Sequence, residues 1–317
     1  MENKKHKKRG PIIVFLASLL WAGDAPFRKP LLVGGLGVGF VAFLEHIFNS
    51  LASLPGLIKN RAQFKTVTRK QWLGLIYIGA GASALGALMV VNGAVAMNYN
   101  FTVAALLQKL QPIFAILLAV IFLKEKFSSR FWLLAMPAIF GAYLVTFGWK
   151  SPGALWQTGG EGIGFKGPLM AVGASVLWAG GTVVGRALLK NLNLQFVNAM
   201  RFIFGLAFLL GYVLLVESMQ FGLMTPMFWR NTFIIAMLTG FFALLLYYYG
   251  LKSTKASVAT LMELGYPLAL AAVNWKFLGI ALSASQIIGA LVLLFSVTLI
   301  VLYGENQTQK SLEGINN

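Results

Sequence analysis

Six ionisable side chains interrupt long apolar stretches of the sequence: Asp24, Glu45, His46, Lys109, Arg201 and Glu263. An isolated charge near the centre of a bilayer costs roughly 2.5–3.5 kcal/mol on insertion scales. Five such charges without partners, leaving the histidine aside, would cost roughly 12–17 kcal/mol, about the whole stability of an ordinary domain. We therefore expect these side chains to face the protein interior, water or each other.

The chemistry that these groups offer is ligand binding. Glu45 and Glu263 are candidate proton- or cation-binding groups, and Lys109 and Arg201 can hold an anionic part of a ligand. The alternative is that the charges only lock the helices together, Lys109 with Glu263 or Glu45, and Arg201 with Glu45. His46 is more typical of a hydrogen-bonded helix residue than of a proton carrier.

The residue types argue against catalysis and metal binding. The sequence has no cysteine, which excludes disulfides and thiolate metal sites, and only two histidines. It offers no His-rich, Asp-rich or serine-nucleophile arrangement between its apolar blocks. We predict no catalytic residue, no cofactor and no metal ion.

Two prolines follow polar residues at the same spacing. Pro112 lies four residues after Gln108, and Pro267 lies four residues after Glu263. Because proline removes an intrahelical hydrogen bond, we expect both helices to open there, beside a polar cavity.

Amide and aromatic side chains complete the predicted site. Asn49 lies four residues after Glu45, on the same helical face. Trp21 and Trp178 fall inside apolar stretches and are predicted to line a pore, whereas Tyr247–Tyr249 are interpreted as interfacial aromatic residues. The predicted substrate-binding residues are Glu45, Asn49, Gln108, Lys109, Arg201, Glu263, Trp21 and Trp178, with Pro112 and Pro267 as helix hinges.

The elements that position these residues are membrane-spanning helices. Hydrophobic residues make up 58% of the chain and charged residues 11%, whereas about a quarter of a soluble domain is charged. The basic residues stand in short runs between apolar blocks, so the net charge of +17 does not indicate nucleic-acid binding. A bilayer-spanning helix needs about 20 apolar residues. Ten blocks fit, which predicts an all-α membrane protein with ten transmembrane helices: 11–33, 36–58, 72–96, 101–123, 131–149, 168–189, 196–216, 231–251, 256–278 and 286–303.

The basic residues also predict the orientation, because they favour the cytoplasmic side of short loops. With both termini inside, 18 of the 26 basic residues lie in inner segments and 6 in outer ones. This ratio predicts a multi-pass protein of the cell (plasma or inner) membrane with both termini cytoplasmic. An alternative is that the first 25 residues form a cleavable signal peptide, because a basic start, an apolar stretch and Ala22-Gly23-Asp24-Ala25 follow one another. It is disfavoured because the same apolar-Trp-Ala-Gly pattern recurs deep in the chain.

The sequence contains two copies of one pattern. Ser18–Gly23 matches Ser175–Gly180 at an offset of 157 residues, and later matches follow at offsets of 156 and 155. Five spans per copy, an odd number, force the second copy to be inverted, and inverted repeats usually form a binding site where the halves meet. The predicted organisation is a basic tail (1–10), a first repeat (11–149), an extracytoplasmic linker (150–167), a second repeat (168–303) and a tail (304–317).

The same residues resemble a known family. The Leu-Trp-Ala-Gly start of each half and the motif from Ala104 to Glu125 resemble the EamA-like repeat of the drug/metabolite transporter superfamily. The resemblance implies a five-plus-five helix transporter for amino acids, sugars, nucleotide-sugars or drugs. The chain departs from the family pattern at Ile280, which stands where the first copy has Glu125. A second departure is Glu45, where many relatives carry the arginine that Arg201 keeps.

These observations predict a secondary transporter of a small polar or amphipathic metabolite, which works by alternating access through a central cavity between the repeats. Export is implied by the resemblance alone. The Gly34–Gly39 run lacks the context of a dinucleotide site, and the sequence offers no other nucleotide-binding motif. We therefore expect a gradient to drive transport, with protons as a candidate coupling ion. The expected partners are a small-molecule substrate and the lipid bilayer, and no nucleic acid. The alternatives are a membrane enzyme, a lipid-head-group flippase of the same fold, and a non-transporting scaffold or sensor with a packed, dry centre.

Overall fold

The structure is a computed structural model that describes residues 2–111, 113–114, 117, 129–149, 164–251, 254 and 262–315. Within these ranges the chain forms helices joined by turns and loops, and no β-strand. The predicted all-α fold is confirmed for this part of the chain.

The helices follow the predicted apolar blocks. In the first half they are α1 (Glu2–Ala22), α2 (Ala25–Val33), α3 (Val38–Lys59), α4 (Arg69–Ala96), α5 (Phe101–Leu107) and α6 (Ser129–Phe147). In the second half they are α7 (Lys166–Leu188), α8 (Leu194–Leu215), α9 (Pro226–Leu251), α10 (Gly265–Leu278) and α11 (Ala284–Ile315).

Six helical segments of the described chain are long and apolar enough to cross a membrane: Gly10–Val33, Val38–Lys59, Arg69–Ala96, Lys166–Gly185, Leu194–Leu215 and Pro226–Leu251. Shorter apolar helices run over Phe101–Leu110, Leu133–Val145 and Ala284–Ile300. Ten spans stay a prediction, because parts of the blocks 101–123 and 256–278 lie outside the described residues. Pro112 and Glu125 lie outside them as well, as does most of the predicted linker.

The first predicted block forms two helices, α1 and α2, separated by Gly23 and Asp24. Pro26 lies in the first turn of α2, and it has no N–H to bond the carbonyl four residues earlier. The break places Asp24 directly before α2 and Arg28 one turn later. Two charged side chains are thereby directed to the same side of the helix.

The third helix of each predicted repeat contains a π-helical segment. These segments are Tyr77–Leu85 within α4 and Ala236–Phe242 within α9. A π-helical turn is wider than an α-helical turn and is frequent at functional sites. Ser83 of the first segment and Thr239 of the second line the cavity described below.

Helices of the first half pack against helices of the second half. Contacting pairs include α1–α9, α3–α8, α4–α7, α4–α8, α3–α9, α5–α10 and α6–α11. A twofold relation that exchanges the two halves maps α3–α8, α5–α10 and α6–α11 onto themselves, exchanges α1–α9 with α4–α7, and exchanges α4–α8 with α3–α9. This is the pairing expected if the two halves are copies of one unit, and the inversion of the second copy stays a prediction.

Candidate functional site

A cavity of about 300 Å³ lies between helices of the two halves. Its volume is at the lower end of the range for small-molecule sites. All eight residues predicted to bind substrate line it: Glu45, Asn49, Gln108, Lys109, Arg201, Glu263, Trp21 and Trp178. The cost of placing charge in hydrocarbon therefore predicted residues that line the cavity, while substrate binding by these residues stays a prediction.

Arg28 bridges two carboxylates at one end of this cavity. Its Nε lies 2.6 Å from Asp24 Oδ2, and its Nη1 and Nη2 donate to the two oxygens of Glu45 at 2.8 and 3.0 Å. The bidentate geometry is the strong form of an arginine–carboxylate contact. The expected pairing of Glu45 with Arg201 or Lys109 is wrong, because Arg28 occupies both of its oxygens.

Sequence reasoning missed Arg28 by assigning it to an outer loop end. The structure buries it at 6% exposure. The i, i+4 spacing of Asp24 and Arg28 was the available indication of an ion pair. The three-residue group carries a net charge of −1 when all its members are ionised.

A second ionic group joins the two helices α5 and α10 at their ends. Lys109, on the 3-10 turn Gln108–Leu110, has its Nζ 4.0 Å from Glu263 Oε2. Tyr247 donates its hydroxyl hydrogen to Glu263 Oε1 at 2.7 Å. The Lys109 ammonium also lies 5.6 Å from the centre of the Tyr266 ring. One of the expected lysine–glutamate pairs is thus present, at the limit of direct contact.

Glu263 lies in the turn before α10, and Pro267 lies in the first turn of that helix. A first-turn proline removes no intrahelical hydrogen bond, because the N–H groups of the first turn have no partner within the helix. The structure therefore places the helix boundary before Pro267, at Glu263 and Leu264. A hinge role for Pro267 stays a prediction.

Arg201 differs from the other two basic groups. Its Nη1 donates to the hydroxyl of Tyr248 at 2.9 Å. In the described part of the chain no carboxylate lies within 4.0 Å of it, and its buried Nε has no hydrogen-bond partner. A buried donor without a partner costs free energy until an acceptor reaches it. Arg201 is therefore the cation of this cavity that is best placed to receive a ligand oxygen.

His46 links α3 to the π-helical segment of α4. Its Nδ1 lies 2.8 Å from the carbonyl oxygen of Ala42, and its Nε2 lies 3.1 Å from Ser83 Oγ. Because a carbonyl oxygen only accepts, Nδ1 carries a hydrogen. This geometry fits the prediction of a hydrogen-bonded helix residue.

Aromatic rings form much of the remaining wall. Trp178 donates its indole N–H to the carbonyl oxygen of Ala82 at 2.6 Å. The ring of Trp21 lies 5.4 Å from that of Tyr247 and 6.3 Å from that of Tyr266, centre to centre. With its polar atom satisfied, Trp178 is free to offer its ring to a ligand.

Two tyrosines predicted at the membrane interface lie in the cavity wall. Tyr247 and Tyr248 are 8% and 4% exposed and line the cavity, so their interpretation as interfacial residues is wrong. Tyr249, at 57% exposure, fits it. Near a helix end the residue type does not separate the two environments, and the burial depends on which face meets α1.

Comparison with known proteins agrees with this architecture. The model of the EamA-like transporter family matches residues 8–147 and 165–302. The chain belongs to the EamA-like transporter family. It is a multi-pass membrane protein with two family repeats, and its family is one of transporters.

Two individual similarities extend over nearly the whole chain. A protein of Fusobacterium nucleatum named riboflavin transporter ImpX is 30% identical over 296 residues, which cover 91% of this chain and 96% of that protein. A solved crystal structure superposes with a TM-score of 0.62 at 15% identity and covers 95% of this chain and 99% of its own. The crystal structure shows the shared fold alone.

Proposed function

We propose that this protein is a secondary transporter that moves a small, polar or amphipathic aromatic metabolite by alternating access between its two repeats. The observation that carries the proposal is the cavity between the halves, with Arg201 as a cation that no carboxylate of the described chain neutralises. The cavity is lined by Arg201 together with aromatic rings from both halves. Such a site suits a flat ring system with hydrogen-bond acceptors at its edge.

Riboflavin is the first cargo to test, because a relative at 30% identity is named a riboflavin transporter. Its ring system and polar groups suit walls formed by Trp21, Trp178, Tyr247 and Tyr266. Binding should stabilise the purified protein by RT ln(1 + L/Kd), where L is the ligand concentration, so the thermal unfolding midpoint should rise with the logarithm of that concentration once it exceeds the dissociation constant. A panel of other aromatic metabolites, and of amino acids and sugars, completes the screen.

The transport test uses purified protein in liposomes and a blocked variant. Because the natural chain has no cysteine, Ala87→Cys places a unique thiol in the cavity wall. A bulky thiol reagent on it should abolish riboflavin movement. The same reagent on Lys190→Cys, an exposed position outside the cavity, should leave transport intact.

Two results would contradict the proposal at different levels. If the liposomes move another member of the panel but not riboflavin, the cargo is wrong and the transporter stands. If they move no member in either direction, while the protein remains folded, transport through this cavity is wrong.

The proposed direction is export, which rests on the family resemblance, and the proposed coupling ion is the proton. Glu263 is the stronger candidate for coupling, because it contacts Lys109 only at 4.0 Å, whereas Glu45 is held by Arg28 at 2.8 and 3.0 Å. Transport should depend on a pH gradient in the wild type and lose that dependence in Glu263→Gln, with Glu45→Gln as the comparison. Equal transport with and without the gradient in the wild type would remove proton coupling.

We further propose ten spans with both termini in the cytoplasm, in the plasma or inner membrane, and repeat boundaries at 11–149 and 168–303. Single cysteines in the tails 1–10 and 304–317 and in the linker 150–167 test this arrangement. A reagent that does not cross the membrane should label the linker in intact cells and leave both tails unlabelled. Labelling of either tail would contradict the orientation.

A scaffold or sensor is the second candidate. It predicts a packed and dry centre, and the open cavity with unpaired Arg201 Nε favours transport over it. The Ala87→Cys variant also distinguishes the two functions. A transporter should move substrate before the thiol is modified and stop afterwards, whereas a scaffold should move none in either state.

A further inference from the structure

A turn of the first half is bonded to a loop of the second half at one end of the α3–α8 pair. Gly37 N–H donates to Gln220 Oε1 at 2.7 Å. Gly39 N–H and Phe40 N–H donate to the two oxygens of Glu217 at 2.9 Å each. We call these residues the Glu217 latch. It lies on the face predicted to be outer.

The Glu217 carboxylate satisfies N–H groups that have no partner within α3. The first four N–H groups of a helix lack intrahelical acceptors, and the helix dipole is positive there. Both effects favour an anionic side chain at this position. Glu217 itself is half-buried between the two halves.

The opposite end of the same helix pair carries a related contact. Asn193 N–H donates to Gln63 Oε1 at 2.9 Å, and Asn60 Nδ2 donates to Gln195 Oε1 at 3.1 Å. We call these four residues the Gln63 latch. It lies on the face predicted to be inner.

The two latches are related by the repeat. Asn193 precedes α8 as Gly37 precedes α3, at an offset of 156 residues. Gln63 follows α3 as Gln220 follows α8, at an offset of 157 residues. In both cases a backbone N–H at a helix start donates to a glutamine of the other half. The same interaction therefore closes both ends of the α3–α8 pair.

Between the latches the two helices stay in close contact. The His46 side chain of α3 lies close to Gly205 of α8, and at the Gln63 latch the Gln195 side chain of α8 lies close to Gly56 of α3. Separation of the halves at either end of this pair therefore requires the latch at that end to break.

The latches differ in charge and exposure. The hydrogen bonds of the Glu217 latch go to a carboxylate and are partly buried, whereas those of the Gln63 latch go to neutral amides and are exposed to solvent. Hydrogen bonds to an ionised group are roughly twice as strong as neutral ones. Water competes more effectively for the exposed bonds. The end that carries Glu217 is thus the more firmly closed one.

We propose that Glu217 sets the resting side of the transporter, so that the empty protein opens preferentially at the Gln63 latch, toward the predicted cytoplasmic face. This inference rests on the proposed alternating access and adds to it the residue that biases the two states. Glu217 is a positioning residue in this scheme, because it lies outside the cavity lining and acts through the closure of α3 on α8.

The test measures access to the cavity from each face without substrate. Ala87→Cys is the reporter thiol, and an exposed Ser218→Cys identifies the face that carries Glu217. The labelling rate of the reporter by a membrane-impermeant reagent should be low from this face. Glu217→Gln should raise it several-fold, because an amide keeps the shape but loses the charge and one of the two accepting oxygens. Gln63→Leu should lower this labelling rate, because the substitution weakens the opposite latch.

The signs of the two effects decide the inference. A merely structural role would leave labelling unchanged or shift both variants in the same direction, and either outcome would overturn it in proteins whose unfolding midpoint is that of the wild type. The proposed function is judged separately by the liposome assay. Opposite shifts in a protein that moves no substrate would support the latches and reject transport, and unchanged labelling in an active transporter would do the reverse.

Discussion

Glu45 and Arg201 occupy equivalent positions in the two repeats and use different partners. They are 156 residues apart, the offset that relates the second helices of the repeats. Glu45 accepts hydrogen bonds from Arg28 on α2, whereas Arg201 donates to the Tyr248 hydroxyl on α9. The same position thus holds a carboxylate in a buried ion pair in the first half, and in the second half an arginine with no carboxylate partner among the described residues.

Arg201→Met should weaken substrate binding while leaving the protein stable. A hydrogen bond to a charged group contributes about 1.5–3 kcal/mol, so affinity should fall about ten- to hundredfold. Its unfolding midpoint should stay close to that of the wild type, because no carboxylate of the described chain loses a partner. Isothermal titration with the transported substrate measures the affinity, and a thermal scan measures the midpoint.

Tyr248→Phe is the matched control for this variant. It removes the hydroxyl that orients the guanidinium but keeps the charge of Arg201. We expect a smaller loss of affinity than in Arg201→Met. An affinity equal to that of the wild type in Arg201→Met would remove Arg201 from the binding site.

Arg28→Met, in contrast, should lower the stability of the protein. It leaves Asp24 and Glu45 as neighbouring buried carboxylates without their shared cation. Breaking a buried ion pair by removing one partner costs about 3–5 kcal/mol. We expect that loss in the free energy of unfolding, measured by denaturant titration in detergent micelles.

The triple variant Asp24→Asn, Arg28→Met, Glu45→Gln tests the reason for this loss. Because it leaves no uncompensated charge, it should be more stable than Arg28→Met alone. If the single and the triple variant unfold at the same denaturant concentration, the loss comes from packing and not from charge.

The charged residues of the cavity wall could be recognised in the sequence because the cost of charge in hydrocarbon applies to each residue separately. Glu45, Lys109, Arg201 and Glu263 could each be recognised as unable to face lipid, and all of them line the cavity. The repeat offset predicted that Glu45 and Arg201 are equivalent. The apolar blocks predicted most of the described helix ends to within a few residues.

The pairing of those charges could not be predicted in the same way. It depends on the break before α2, which turns Arg28 inward to Glu45, and on the rotation of α9, which brings Tyr248 to Arg201. Helical periodicity indicates which residues share a face, but it does not indicate which helix that face meets. The π-helical segments have no comparable periodic pattern in the sequence.

Gly86→Ala should impair transport through a neighbouring aromatic residue. A Cβ at this position would lie 2.7 Å from Trp178 Nε1, so the indole would have to shift and weaken its bond to the Ala82 carbonyl oxygen. We expect a reduced transport rate with the same substrate and a change in tryptophan fluorescence. An unchanged rate would show that the Trp178 ring does not need its present position.

Gly289→Ala should destabilise the α6–α11 pair, and Gly211→Ala in α8 should not. A Cβ on Gly289 would lie 2.7 Å from the backbone nitrogen of Val145, and helix backbones cannot yield as a flexible side chain can, so the helices must separate. Around Gly211, apart from its own helix turn, no atom of the described residues lies within 4 Å of such a Cβ, and alanine is favoured over glycine inside a helix by about 1 kcal/mol. Thermal unfolding should therefore shift downward in Gly289→Ala and stay level or shift upward in Gly211→Ala. Equal shifts in the two variants would mean that this close helix contact does not support the fold.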